Sequence, residues 1–521
     1  MRAPILSLSA AFILLALPSS SRAQIARLET GPFSVGFREL LVRDVSRPAL
    51  SPRAKSGDRG REMQIVVWYP ARPGTGSRMT LGDYIVAAAH ETDFSPIDTA
   101  RRRAALNRFV QRSGAMGGDS ASLRAALPRI LAENVNARSG AAPNAGRFPL
   151  VLFPDWRAPS ANSILGEFLA SHGYVVASVS TKGTYEEELD YWSPRGIETI
   201  VADLRFTISA LDTLRFVDAQ RIGVMGVGFA ASGALALQMR TPAVAALVSL
   251  AGGITTEGEL NLISRTPYFE PANVTVPILS ISDPHPSVEV ARLDLYRYST
   301  RHIVHFPAMG EFWFLNFGML EKVVPNIIGR RPGDTEAGFT WAARYVRRFF
   351  DAYIKRDSVS REWIAADPRS IGAPAGLFNV GVKAGLRPPP SVADVRELLE
   401  RGGVAALDSL IQSRVVSDPQ PIPSEHFVEL NAWLGSGHDP SGTERYRLAQ
   451  LRVRLYPSSV RARFSLGSLA QRRGDSAVAR EHLTEALRLL PLDTDPQLDS
   501  QTRTRIQRQA TALLDALRGS L

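Results

Sequence analysis

Residues 221–233 read RIGVMGVGFAASG. The opening is a short apolar strand signal, with Ile222, Val224 and Met225 close together. Gly226 and Gly228 then break it, and FAASGALALQMR resumes as a helix built largely on small residues. A strand, a glycine turn and a helix in direct succession hold one residue at the apex of a tight turn, where its side chain projects above a sheet. Here the apex is Gly228, which has no side chain to project.

Outward from this turn, strand and helix signals alternate. Upstream lie FPLVLFPDW, a fully apolar strand over residues 150–153, then SILGEFLASHGYVVASVST, a helix stopped at Gly173 and followed by a strand. IETIVADLRFTISALDTL is a long amphipathic helix. Downstream come VAALVSLAG and VPILSISD as strands, SVEVARLDLYR as a helix, TRHIVHF as a strand and AGFTWAARYVRRFFDAYIKR as a closing helix. Alternation of this kind predicts βαβ units and a largely parallel sheet with helices on both faces. The near-continuous Val/Ile/Leu runs fit strands covered on both sides. Closer to the start, FRELLVRDVSRP and MQIVVWYPA read as two further strands.

Three other segments have a different texture. Residues 81–141 carry apolar residues at helical spacing and read as a helical insertion. Residues 358–420 contain the Pro/Gly-rich GAPAGLFNVGVKAGLRPPPS and read as a linker with helical segments. Residues 421–521 read as an all-α domain. In VRARFSLGSLAQRRGDSAVAREHLTEALRLLP, Leu466-Gly467, Ala470, Gly474, Ala479, Leu483, Ala486 and Pro491 fall at tetratricopeptide spacing, with a weaker copy at about 426–457. Its small residues let two antiparallel helices approach closely. Residues 24–357 therefore form the α/β unit.

Residues 1–23 have Arg2, an uncharged apolar run and Ser21-Arg22-Ala23, the layout of a secretory signal peptide. An exported chain, periplasmic or extracellular, with no membrane span after cleavage is expected. There is no cysteine, so disulfides, thiol catalysis and Cys-based zinc sites are excluded together. The net charge of +10 comes from scattered arginines, densest in RRRAALNRFVQRSG from Arg101, which reads as a solvated helix face. No nucleic-acid motif accompanies it. HExxH, His pairs at i, i+4 and acidic calcium loops are missing, and no cofactor or metal is expected.

With these stretches in view, residues 31–356 resemble the α/β-hydrolase superfamily, in particular bacterial relatives of platelet-activating-factor acetylhydrolase and dienelactone hydrolase. GPFSVGFREL with MQIVVWYPA resembles that group's paired N-terminal strands. FPLVLFPDW with LASHGYVVASVST resembles its oxyanion strand, helix and next strand. RIGVMGVGFAASGALALQM resembles its nucleophile elbow. The resemblance implies a serine at the position of Gly228, glycine-rich backbone donors where this chain has Pro154-Asp155-Trp156-Arg157, and an acid at Asp283. It also implies a histidine where FPAMGEFWF places Glu311. Without a hydroxyl at the apex there is no acyl-enzyme, and Pro154 donates no N–H. Ser232, one helical turn on, is the substitute nucleophile to weigh. His285 and His305 read as a loop residue and a structural one. The acidic, aromatic TKGTYEEELDYW would lie near the mouth of the site. Asp155, Trp156, Val227, Phe229 and Phe312 are the expected pocket residues.

Two readings follow. In the first, the catalytic residues are lost and the fold binds a small acyl-ester or lipid-like ligand, while the repeats take a protein or peptide partner. In the second, the chain is a carboxylic-ester hydrolase working through a displaced nucleophile. A third makes the repeats the working part and the hydrolase-like fold a scaffold.

Overall fold

The computed structural model describes residues 28–518 except 49–58, 92–93, 156–158, 183–189, 494 and 496–497; the leader read at residues 1–23 lies outside the described residues. Two long strands, β1 (Ser34–Pro48) and β2 (Arg59–Ala71), form an antiparallel ribbon with Ser34 opposite Ala71. Next come β3 (Ser77–Thr80), α1 (Leu81–Ala87), α2 (Thr99–Ala115), α3 (Ser120–Ala132) and β4 (Asn134–Ser139). The alternating part runs β5 (Phe148–Asp155), α4 (Pro159–Ser171), β6 (Val175–Ser180), α5 (Pro194–Asp212), β7 (Val217–Val227), α6 (Phe229–Gln238) and β8 (Val244–Leu250). It continues through α7 (Glu257–Ile263), β9 (Ile278–Ser282), β10 (Arg301–His305), α8 (Phe317–Leu320), α9 (Thr335–Tyr353) and α10 (Ser358–Ala365) to β11 (Asn379–Lys383).

The strands form one sheet in the order β11-β10-β9-β8-β7-β5-β6-β2-β1-β4-β3. From β6 to β10 all pairings are parallel. Period-2 alternation divides the strand side chains between two cores. Val66, Trp68, Val151 and Phe153 pack with α4 and α9 on one face. Ile65, Val67, Leu150 and Leu152 pack with α5 and α6 on the other. This is a large α/β sheet with helices on both faces, followed by a C-terminal helical region. The chain passes from β5 to β6 on one side and then crosses to β7 on the other. That reversal falls at the carboxyl ends of β5 and β7, where open α/β sheets place ligands.

Two segments differ from the sequence reading. The stretch read as a helical insertion, 81–141, is helical through α3, but its end is β4, parallel to β1 and antiparallel to β3. NVNARS has too few apolar residues to carry a strand signal by itself. The stretch read as a linker, 358–420, contributes β11, antiparallel to β10. Phe378, just before it, is buried against Phe306, Trp341 and Tyr345. Val382 on this edge strand is half exposed, so the alternation is weak in sequence.

The C-terminal helices are α11 (Val392–Arg414), α12 (Ser424–Trp433), α13 (Thr443–Leu455), α14 (Val460–Arg472), α15 (Ser476–Leu489) and α16 (Ser500–Arg518). They have their own apolar clusters. The α14–α15 hairpin is tight: a Cβ on Gly467 would stand 2.8 Å from Leu483 Cγ. A polar joint ties this region to the sheet. Tyr298 Oη donates to Asp418 at 2.9 Å, Arg297 pairs with Asp418 at 3.3 Å and donates to the Gln420 carbonyl at 2.6 Å. Among the described residues no helix is long and apolar enough to cross a membrane.

The insertion is pinned to the sheet by a buried chain of hydrogen bonds. Trp68 Nε1 on β2 donates to Tyr84 Oη on α1 at 2.9 Å. Tyr84 Oη donates to Glu167 on α4 at 2.7 Å, and Glu167 accepts from the Asn136 amide at 2.9 Å. Tyr84→Phe removes the acceptor of a fully buried indole N–H. A loss of about 1–3 kcal/mol is expected, read as a lower thermal midpoint with the helix content of the folded state unchanged.

Candidate functional site

Strand β7 ends at Val227 and α6 starts at Phe229, so one residue makes the whole turn. That residue, Gly228, has φ 50° and ψ −129°, a conformation glycine takes without the penalty other residues incur. Its amide donates to the Leu250 carbonyl at 3.0 Å, and its own carbonyl accepts from Ala231 at 2.9 Å. Gly226 must be small, since a Cβ there would lie 2.5 Å from the Ala231 nitrogen. A Cβ on Gly253 would lie 2.6 Å from the Gly228 carbonyl oxygen. The elbow frame is complete, and its apex has no oxygen.

The space above that apex belongs to Glu311. A Cβ on Gly228 would lie 2.7 Å from Glu311 Oε1 and 3.3 Å from its Cδ. Glu311 begins a short 3₁₀ turn, Glu311–Phe314, beyond β10. The fold thus brings together the two residues expected at the nucleophile and base positions, as a glycine and a carboxylate.

Asp283 follows β9 directly and is 5% exposed. It accepts from the His285 backbone, while its Oδ1 meets no hydrogen-bond partner. Burial pushes its carboxyl above the usual aspartate range. Glu259, on α7, joins the same neighbourhood: burial raises its carboxyl first, and the charge of Glu311 adds to the rise. Sequence reasoning missed Glu259, because an acid in a helix's first turn is an ordinary surface feature.

The histidines have partners of their own. His285 Nδ1 bonds Ser287 Oγ at 2.7 Å in an exposed loop. His305 Nδ1 bonds Ser282 Oγ at 3.0 Å. His302 is buried beside Tyr353 Oη at 2.7 Å, and burial lowers its pKa to about 4, so it is neutral at physiological pH. Ser232 sits one turn into α6 at 1% exposure, and its Oγ makes no hydrogen bond among the described residues, so no base is within reach of it.

The first central strand ends in Pro154-Asp155. Asp155 is buried at 1% exposure, and its carbonyl accepts from Thr181 at 2.9 Å. Trp156 and Arg157 lie outside the described residues, as do 183–189 of the acidic loop. The end of that loop reaches the elbow: Phe229 contacts Tyr191 and Trp192 with ring centroids 4.7 Å apart in both pairs. Trp192 remains 54% exposed and reaches toward Gly258, beside Glu259. Val227 and Phe229 are buried and Phe312 is half-buried. Among the described residues no group of three or more His, Asp or Glu could hold a metal.

Acyl transfer develops negative charge at the elbow and needs donors there. Here Glu311 and Glu259 bring carboxylates to it, and Asp283 and Asp155 stand at the ends of neighbouring strands. Folding holds the proton on Asp283 to a higher pH than the unfolded chain does. The stability this group contributes is therefore present below the usual aspartate range and lost as pH rises through the raised value. Asp283→Asn is expected to raise the thermal midpoint by a few degrees at pH 8, with the gain vanishing below the usual aspartate range in a thermal series across pH.

No protein-family model and no curated protein matches this chain. Among solved structures, a ferulic acid esterase from Streptomyces cinnamoneus is similar over 69% of this chain and 99% of that one, at 21% identity and a TM-score of 0.48.

Proposed function

We propose that this chain is a hydrolase-fold protein that binds a small acyl-ester or lipid-like ligand at its elbow and has no serine-ester chemistry. The single observation that carries this reading is the Glu311 carboxylate lying 2.7 Å from where a Gly228 side chain would begin. A serine there would need a base, and the residue beside it is a carboxylate in place of the usual imidazole. The aromatic rim of Phe229, Tyr191 and Trp192 supplies apolar surface for a ligand. The resemblance to acetylhydrolase and dienelactone hydrolase relatives supports the ligand class. The leader at residues 1–23 supports export. The helical hairpins of 421–521, with tetratricopeptide spacing, support a peptide or protein partner on their exposed faces.

The mature chain, residues 24–521, is treated with a fluorophosphonate probe and a series of p-nitrophenyl esters. The wild type and Ser232→Ala are expected to be equally inert. Gly228→Ser alone is expected to stay unlabelled, because Glu311 gives it a carboxylate neighbour in place of an imidazole base. Gly228→Ser combined with Glu311→His is expected to gain labelling, with Asp283 as the acid. Labelling of the wild type that Ser232→Ala abolishes would overturn the reading in favour of a displaced nucleophile.

A further inference from the structure

Away from the elbow, the concave side of the helical region encloses a groove of about 290 Å³ between α12, α13, α14 and α16. Its apolar wall comes from Phe427, Leu448, Phe464 and Ile506. Arg452, Arg461 and Arg505 line it too.

Arg452 is the unusual member. It is 6% exposed, and no carboxylate pairs with it among the described residues. Its Nε and Nη2 donate to one hydroxyl, Ser424 Oγ, at 3.2 and 2.9 Å. Nη1 has no hydrogen bond among the described residues, and Arg452 lines the groove. Burial lowers the Arg452 pKa to about 10, with the charge of Arg461 adding to the effect. Buried guanidinium groups are ordinarily matched by a carboxylate, since an unmatched buried charge is expensive.

The nearby acids Glu425 and Asp495 attract Arg452 at longer range but make their direct ion pairs with Arg461. Arg461 binds Glu425 at 2.8 Å and Asp495 at 3.3 Å. Glu270, from the α/β part, does not line the groove; burial first, and then repulsion from Glu425 and Asp495, holds its carboxyl above the usual range. Arg452 is thus left without a carboxylate in direct contact, while Arg505 has Asp499 in its electrostatic neighbourhood.

We infer that this groove binds a small monocarboxylate with an aromatic or branched apolar body, its carboxylate on Arg452 and Arg505 and its body against Phe427 and Phe464. Guanidinium meets carboxylate through paired N–H···O bonds, which a neutral amide cannot reproduce. The volume lies at the low end of ligand pockets, which favours a compact molecule over a drug-sized one. The site is independent of the elbow and of the fate of Gly228.

Calorimetric titration of the mature chain with phenylacetate tests this. Saturable binding is expected, with phenylacetamide weaker by about tenfold or more, the scale of one lost charge-assisted pair. Inorganic phosphate is expected not to displace phenylacetate. Arg452→Met is expected to abolish binding while leaving the thermal midpoint equal or higher, because it removes an unmatched buried charge. The exposed Arg505→Ala is expected to weaken binding severalfold without touching the fold, and it carries the test if Arg452→Met fails to fold. Equal affinity for the amide, displacement by phosphate, or no binding of phenylacetate would each overturn the inference. So would binding of a peptide with a free C-terminus by a protein that ignores phenylacetate, which would make the groove a peptide site.

Discussion

The turn at Gly228 constrains this molecule more than any other single feature. One residue must reverse the chain from β7 into α6 while both elements stay packed, β7 between two parallel neighbours and α6 against the sheet. The turn is possible because Gly226, Gly228 and Gly253 have no side chains to collide there. A hydrolase-like scaffold normally uses this strained apex to present a hydroxyl. Here the same turn is made by a glycine, and the Glu311 carboxylate stands where a side chain would begin. The geometry persists because the surrounding strands and helix demand it, whether or not the apex does chemistry.

Around this point the structure arranges charge in an unusual way. Carboxylates gather at the carboxyl ends of the central strands, where an ester hydrolase would need hydrogen-bond donors. Burial raises Asp283, and burial together with repulsion from Glu311 raises Glu259. Raised carboxyls gathered in this way are a mark of sites selected for function over stability, since each makes the folded state less favourable at neutral pH. The Arg452 groove shows the same logic with the sign reversed. In both places a buried charge lacks a full complement within the protein, which is the condition under which a ligand adds most.

The two regions are joined by polar contacts. Asp418, buried at the joint, takes hydrogen bonds or charge from both Arg297 and Tyr298. Such a joint is directional and satisfies its own groups, so it sets how the helices sit beside the sheet more sharply than an apolar patch would. The Trp68–Tyr84–Glu167 chain does the same for the insertion. The apolar cores hold each part together, and these polar chains set the parts relative to one another.

Much of this was determined by the sequence itself, because it depends on local pattern. Buried parallel strands write continuous apolar runs, helices write a 3.6-residue period, and the glycine elbow is contiguous; hence the α/β class and the empty apex at Gly228 were legible in residues 148–353. The close α14–α15 hairpin was legible for the same reason, through Gly467 and its neighbouring alanines. Strands β4 and β11 were not, since an edge strand has half its faces in water and takes its identity from the partner it pairs with. Nor were the approach of Glu311 to Gly228, the role of Glu259 or the unmatched Arg452. Each depends on which groups distant parts of the chain bring within a few ångströms and on how much water they exclude, and only the tertiary structure decides that.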